Sequence, residues 1–230
     1  MAAKQPLEFG LADFPPYFYL DDQGEPAGPV LTLADALFAQ ARLSYRLKDY
    51  PPARLYNRIR SGETQVTMAG EHHPEITEYA LPGSIPLLNL TLNVYRHTDT
   101  PPIDKIADLA GHSVILIGAY TYGALSKALE DPQMKVNLSR AATHQAALQM
   151  LLHHRAEYLI NYAEPMNAPL RGVPEGVIAS DTLARIAVFL FVANAAEQPE
   201  ALRDTLEEAL SRLRDNGELQ RILNTADYSN

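Results

Sequence analysis

The sequence predicts an α/β protein in two lobes, and two observations carry that reading. Strand and helix signatures alternate along the whole chain. Two apolar strands, about 86–96 and about 184–193, run longer than the rest and bracket a complete strand–helix–strand–helix–strand block. A block inserted between two chain crossings makes a discontinuous two-domain protein. Lobe 1 is then residues 1–88 plus 192–230, and lobe 2 is residues 89–191. A cleft between two α/β lobes is a natural place for a small ligand.

Residues 7–12 and 17–20 read as short strands around Pro15-Pro16, followed by a turn at Asp21–Gly24. Thr32 is placed to cap a helix running to about Leu43, with Leu33, Ala36, Leu37 and Ala41 on one face. The strand "LSYRLKDY" is broken by Pro51-Pro52, and the short helix "ARLYNRIRSG" ends at Gly62. "TQVTMAG" is a strand, and the long strand "PLLNLTLNVYR" leads into the second block. There "TPPIDKIADLAG" gives a turn and short helix, "HSVILIG" a buried strand, "TYGALSKALEDP" a helix stopped by Pro132, and "MKVNLS" a strand. "THQAALQMLLHH" is a helix with Ala147, Leu148, Leu151 and Leu152 on one side, and "AEYLINY" is a strand. The long strand "RIAVFLFVA" returns, and two helices broken at Asn216-Gly217 close the chain. The alternation points to mainly parallel sheets.

The bulk composition narrows the function. The chain has 230 residues, 47% of them hydrophobic, and a net charge of −9. A nucleic-acid binder carries a basic face, so an acidic chain argues against that class and against anionic membrane surfaces. No run approaches the ~18 consecutive apolar residues that span a bilayer. The absence of cysteine excludes disulfides, thiolate catalysis and cysteine metal sites. No phosphate loop, metal motif or defensible Ser-His-Asp spacing occurs, so neither cofactor nor metal is expected. The start "MAAKQPLEFG" lacks a signal-peptide core. This leaves either a cytoplasmic protein or one from which a signal has been removed.

The crowding of Phe9, Phe14, Tyr17, Phe18 and Tyr19 around two prolines is open to two readings: a buried strand pair, or a wall for a flat or apolar ligand. Tyr17 and Tyr19 are expected to alternate between core and surface. Five ordered pieces then resemble one known family. They are "FPPYFYLDDQGEPAG", "PPARLYNRIRSGETQVTMAG", "LAGHSVILIGAYTYGALSKALED", "ALQMLLHHRAEYLINY" and "ALSRLRDNGELQRIL". In that order and spacing they resemble the extracellular solute-binding proteins of ABC importers, family 3, the group that includes the polar amino-acid binders. The resemblance covers nearly the whole chain. It implies a type II periplasmic-binding-protein fold with an interlobe cleft and a two-strand hinge. It also implies a small-molecule ligand, an ABC permease or sensor as partner, and a periplasmic location.

The resemblance also shows departures. Amino-acid binders of the family carry, after the "AG" strand, an arginine that clamps the ligand carboxylate. Here that position falls on Thr77, or on Ile76 with a one-residue shift, and no arginine occurs from residue 61 to residue 95. The family's aspartate for the ligand ammonium is Tyr162 here, and Val30 and Thr32 replace the acidic residues that follow its early glycine. A buried zwitterion without paired charges costs several kcal/mol. The expected ligand is therefore a small organic solute other than a standard α-amino acid, with an aromatic or apolar body and an optional anionic group.

The family pattern assigns Phe14 to a ring that stacks on the ligand. It brings Ala69, Gly70, Glu71 and His72 to the loop lining the cleft, where at most one of His72 and His73 points inward because neighbours in an extended segment alternate. Arg54, after a proline in its loop, is the cation best placed to replace the missing clamp. The helix start at Thr121, with Ala119, Tyr120 and Tyr122 beside it, offers free N–H groups to an anion. Contacts from both lobes would favour a closed state. Two alternatives stand beside this reading: an enzyme on the same fold, dehydratase-like, with Glu71 and His72 as an acid–base pair, and a regulatory or scaffold protein with an occluded cleft.

Overall fold

The computed structural model describes residues 5–118, 120, 122 and 124–224. The chain divides into two compact units, Met1–Asn89 with Ala187–Asn230, and Leu90–Ile186. The elements follow in order as β1 (Leu7–Leu11), β2 (Tyr19–Leu20), β3 (Pro26–Ala27), α1 (Pro29–Ala41), β4 (Tyr45–Asp49), α2 (Pro52–Ser61), β5 (Val66–Gly70), α3 (Pro74–Thr77) and β6 (Ala80–Pro82). Strand β7 (Leu88–His97) carries the chain into the second unit. There a 3₁₀ turn (Ile106–Leu109) precedes β8 (Ser113–Ile117), α4 (Ala124–Leu129), β9 (Asn137–Ala141), α5 (His144–Leu152), β10 (Tyr158–Tyr162) and α6 (Ala163–Leu170). Strand β11 (Ile178–Ala193) returns the chain to the first unit, which ends in α7 (Pro199–Asp215) and α8 (Glu218–Leu223).

In the first unit the strand order is β4-β1-β5-β11, with β6 also on β11. Strand β1 runs parallel to β4 and β5, and β11 runs antiparallel to β5 and β6. Side chains alternate across β1. Phe9 and Leu11 enter a core built with Val30, Leu33, Ala34, Leu37 and Phe38 of α1 and Leu206, Ala209, Leu210 and Leu213 of α7. Both helices bury residues at i, i+3, i+4 and i+7, the stripe an amphipathic helix needs. The opposite face of β5 and β11 packs Phe191 and Ala193 against Leu55 and Ile59 of α2 and Ile76 of α3.

In the second unit the order is β11-β7-β10-β8-β9. Strand β8 is parallel to β9 and β10, and β7 is antiparallel to β10. The core is nearly continuous through Val114–Ile117 and Tyr158–Ile160, because both strands are covered on both faces. Helix α5 starts at a Thr143 cap whose hydroxyl accepts from the Ala146 N–H at 3.1 Å.

Several elements depart from the sequence reading. The sheets mix parallel and antiparallel pairs, because β7 and β11, the two strands that cross between units, run against their neighbours. Helix α1 begins at Pro29, not at a Thr32 cap, since the Gly-Pro pair sets its start. Gly28 has φ 103°, and a Cβ there would lie 2.4 Å from the Tyr17 carbonyl oxygen. The 17–20 segment pairs with β3 rather than with β1. Strand β9 starts three residues later than expected. Strand β11 is longer than its apolar stretch because polar residues hold its first half. Asp181 takes both Nε and Nη2 of Arg96, at 2.7 and 3.2 Å, and the Thr182 hydroxyl donates to Asn93 at 3.0 Å. Helix α6, with Pro165 and Pro169 inside it, carries no helical signal in its sequence.

Candidate functional site

In open α/β sheets, ligands meet the carboxyl ends of parallel strands, where loops and helix starts gather. The first unit presents three such ends. Strand β1 leads into Ala12–Phe18, β4 into Asp49–Arg54, and β5 into Ala69–His73.

After β1 the chain folds back on itself. The Phe14 N–H donates to the Phe18 carbonyl at 2.7 Å across a cis Pro15–Pro16 bond, and the Phe14 and Tyr17 rings stack 6.5 Å apart at 17°. The aromatic crowding separates into two sets. Phe9 and Phe18 are buried core, while Phe14 and Tyr17 are half-buried. Asp13 and Asp49 stand at the ends of neighbouring strands. Burial, and for Asp13 also the Asp49 charge, pushes both carboxyls up.

Arg54 lies in the first turn of α2, exposed, with its guanidinium 5.3 Å from the centre of the Tyr50 ring. Arg58, one turn on, lies 4.8 Å from the same ring. Arg58 is committed elsewhere. Its Nε and Nη2 donate to the Glu8 Oε1 at 3.1 and 2.8 Å, and its Nη1 pairs with Glu63. Glu8, 2% exposed, also accepts from the Tyr50 hydroxyl at 3.0 Å and from Thr64, and pairs with Arg46 at 3.1 Å. Burial alone would raise the Glu8 carboxyl; the bonds from Thr64, Arg58 and Tyr50 outweigh it and hold it below the usual range.

Ala69 and Gly70 pair with Phe189 and Val188, and the Glu71 N–H donates to the Ala187 carbonyl at 2.9 Å. Glu71 and His72 are exposed, and His73 is the half-buried histidine of the pair. Its Nε2 lies 3.1 Å from the Tyr56 hydroxyl, and burial lowers its pKa. At the position of the family's arginine, Ile76 is 1% exposed and Thr77 donates its hydroxyl to the His73 carbonyl at 3.1 Å.

In the second unit the ends of β8 and β10 bring three tyrosines together. Tyr120 meets Tyr162 edge-on at 5.6 Å, and Tyr122 stacks on Tyr162 at 6.1 Å and 5°. Tyr122, at φ 51° and 7% exposed, is a strut. Its hydroxyl accepts from the Ile117 N–H at 3.0 Å and donates to the Ile160 carbonyl at 3.1 Å, tying β8 to β10. Thr121 and Ala119, named from the sequence, lie outside the described residues.

Three residues that the sequence did not single out lie at these strand ends. His144, the first residue of α5, has Nε2 3.2 Å from the Tyr120 hydroxyl and Nδ1 2.9 Å from the Asn161 amide nitrogen. Asn161 is fully buried. Burial lowers the His144 pKa. Glu164, 9% exposed, accepts from the Thr91 N–H at 3.1 Å, and burial raises its carboxyl. The signal for His144 and Asn161 was weak: a histidine directly behind a helix-capping threonine, and an asparagine inside an apolar strand.

Among the described residues no three His, Asp or Glu side chains converge as metal ligands, and no helix is long and apolar enough to cross a membrane. The arrangement offers aromatic faces, a few neutral donors and the exposed Arg54 guanidinium, which is the chemistry of recognition.

Comparison with known proteins agrees. The model of the bacterial extracellular solute-binding proteins, family 3, matches residues 8–226. No curated protein matches the chain. Among solved structures, a histidine kinase sensor domain with similarity to periplasmic binding proteins superposes with a TM-score of 0.80 at 19% identity, over 97% of this chain and 96% of that one. An ancestral arginine-binding protein bound to arginine gives 0.74 at 17% identity, over 97% and 99%. The arginine-, lysine-, histidine-binding protein ArtJ from Geobacillus stearothermophilus gives 0.74 at 19% identity, over 98% and 96%. Fold and strand-end chemistry together define a binder of small solutes with the periplasmic-binding-protein fold. The chain belongs to the bacterial extracellular solute-binding proteins, family 3. The enzymatic alternative gives way to this assignment, since the family is one of solute-binding proteins.

Proposed function

We propose that this protein binds a small organic solute with an aromatic or apolar body, and not a free standard α-amino acid. It hands that solute to an ABC-type permease or reports it to a sensor, outside the cytoplasm. The observation that carries the reading is the neutrality of both positions where amino-acid binders of the family place charge. Ile76 is buried and Thr77 is bonded to its own helix, while Tyr162 sits among tyrosine rings. A bound zwitterion would leave both its charges unpaired there, at several kcal/mol.

The residues proposed to meet the solute are Phe14, Arg54, Ala69, Gly70, Glu71 and His72 from the first unit and Tyr120, Thr121 and Tyr162 from the second, with Tyr122 as the strut that holds the tyrosine group. An oxygen-bearing end of the solute is assigned to Arg54, whose planar fork suits a carboxylate. The likeness to a sensor domain supports the reporting role, and the likeness to ArtJ supports import.

Isothermal titration calorimetry with the twenty free amino acids tests the reading, beside native mass spectrometry of freshly purified protein. No common amino acid is expected to bind tighter than millimolar, and a retained non-amino-acid mass is expected. Micromolar binding of any one of them, about −8 kcal/mol, overturns the argument from missing charges.

A further inference from the structure

In the first unit the Tyr50 ring is fixed at both ends. Tyr50 follows β4 directly, and its backbone N–H donates to the Leu11 carbonyl of β1 at 2.9 Å. Its hydroxyl donates to the Oε1 of the buried Glu8, also of β1, at 3.0 Å. Glu8 is held in turn by two bonds from Arg58, by Thr64 and by Arg46. A ring tied through its backbone to a strand and through its hydroxyl to a buried carboxylate has little freedom to change rotamer. The two guanidiniums over that ring are unequal. Arg54 and Arg58 stand four residues apart on α2, 5.3 and 4.8 Å from the ring centre. Like charges at that spacing repel each other. Arg58 has Glu8 and Glu63 to answer the repulsion. Arg54 has no carboxylate against it, and none of its side-chain N–H donors is used, among the described residues. A carboxylate supplied from outside removes the imbalance.

We infer that Tyr50 is a positioning residue: its Glu8-anchored ring orders the Arg54 guanidinium before a solute arrives, and so tunes the first unit for a solute that carries a carboxylate. This rests on the proposed assignment of Arg54 to the solute. An exposed arginine otherwise samples many rotamers, and ordering such a side chain on binding costs affinity. A fixed aromatic face within about 6 Å attracts the guanidinium. That attraction consumes no N–H donor, so the planar fork stays whole for a carboxylate. The Glu8 web keeps its architectural work; what it adds is the setting of one ring. Arg54 is the group assigned to touch the solute, and Tyr50 acts through it.

Two measurements test it separately. The first needs no ligand. Relaxation of the arginine ¹⁵Nε–H groups, with Arg54 assigned through Arg54→Lys, should give Arg54 a clearly higher order parameter than Arg171, which is exposed and lies over no ring among the described residues. Tyr50→Leu should bring Arg54 down to the level of Arg171. Tyr50→Phe keeps the ring, loses the tie to Glu8 and should fall between the two. An Arg54 as mobile as Arg171 in wild type, or unchanged in Tyr50→Leu, overturns the inference; should Tyr50→Leu fail to fold, wild type and Tyr50→Phe still decide. The second measurement titrates phenylacetate and 2-phenylethanol, which share an aromatic body and differ in whether the end is charged. Tyr50→Leu should weaken phenylacetate by about twofold to threefold, a part of the cost of ordering one long side chain. It should leave 2-phenylethanol unchanged, because a neutral end draws little on the guanidinium. Equal loss for both probes, or none for phenylacetate, overturns the positioning role, since a ring that only supports the fold or touches the solute body affects both alike. An ordered Arg54 with no phenylacetate binding by wild type overturns the proposed role of Arg54, and this inference with it. A mobile Arg54 with phenylacetate binding overturns this inference and leaves the proposed function standing.

Discussion

The two units spend their buried polar groups differently. In the first, the main investment is ionic. Glu8, 2% exposed, gathers Arg58, Arg46, Thr64 and Tyr50. This web starts in β1 and ties β4, α2 and the approach to β5 together, so its work is architectural. In the second, the strand ends hold a neutral chain of Asn161, His144 and tyrosine hydroxyls. Burial there favours the uncharged form of His144 and of Glu164 alike. A charged web tolerates exchange of its outer members with water, whereas a neutral chain transmits orientation. The contrast places a buried ionic web in one unit and a neutral hydrogen-bonded chain in the other.

The contrast breaks most visibly at Glu8. Glu8→Ala leaves Arg58, 18% exposed on its side chain, without its main partner, while Arg46, 54% exposed, returns to water. Loss of about 3 kcal/mol of unfolding free energy is expected, the lower end of what removing one partner of a buried ion pair costs. Urea denaturation followed by circular dichroism reads it. The sign in pH follows from the lowered carboxyl: the stabilisation is present above the unfolded value of 4.5 and is lost as pH falls through the lower folded one. A loss below about 1 kcal/mol, the size of an exposed ion pair, would make the web an ornament of the surface.

Much of this architecture was legible in the sequence. Alternating strand and helix signatures placed nearly every long element, and the amphipathic stripes of α1 and α7 named the core. The misses share a cause: they are elements whose reasons lie elsewhere in the chain. Helix α6 carries two prolines and forms because β10 delivers it; the first half of β11 is polar because Arg96 and Asn93 receive it. The candidate site was legible only as positions. That Phe18 is core and Phe14 half-buried is set by the fold-back at Pro15–Pro16. His144 and Asn161 escaped because a hydrogen-bonded chain is a property of three dimensions: residues 120, 144 and 161 share no spacing that a pattern would reveal. Glu8, an acidic residue in an apolar strand, was a visible anomaly whose partner Arg58 lies 50 residues on.

A smaller effect sharpens the comparison through pH. The His144 pKa is depressed by burial, so the unfolded chain binds its proton first. Its contribution is fully present above the unfolded value of 6.5 and is lost as pH falls through the folded one. Glu164 has the opposite sign. Its raised carboxyl favours folding below the unfolded value of 4.5, and that advantage is lost as pH rises through the folded value. Denaturation midpoints measured from pH 8 down to 5 should therefore fall more steeply in wild type than in His144→Gln. Across the same window Glu164→Gln should show a steeper fall than wild type, because the opposing term is gone. His73, also depressed by burial, supplies the slope that remains in both variants. Identical slopes in all three proteins would mean that the second unit's groups are not held neutral by the fold.

The smallest stability effect belongs to Arg54, and its value lies in the contrast with Arg58 one turn away. Both guanidiniums lie over the Tyr50 ring, at 5.3 and 4.8 Å, but only Arg58 reaches Glu8. An exposed arginine over an aromatic face holds about 0.5 kcal/mol or less of the fold once water competes for it. Arg54→Ala should therefore melt within about 1–2 °C of wild type without ligand. The same change should weaken binding of an acidic solute by roughly 1.5–3 kcal/mol, the worth of a hydrogen bond to a charged group. Arg58→Ala should reverse the pattern, unfolding more readily because it strips Glu8 of its closest cation. Melting curves with and without phenylacetate, set beside titration calorimetry of both variants, separate the two roles. If Arg54→Ala lowers stability as much as Arg58→Ala while leaving affinity unchanged, Arg54 is a member of the architectural web, and the first unit has no free cation at its strand ends to offer a solute.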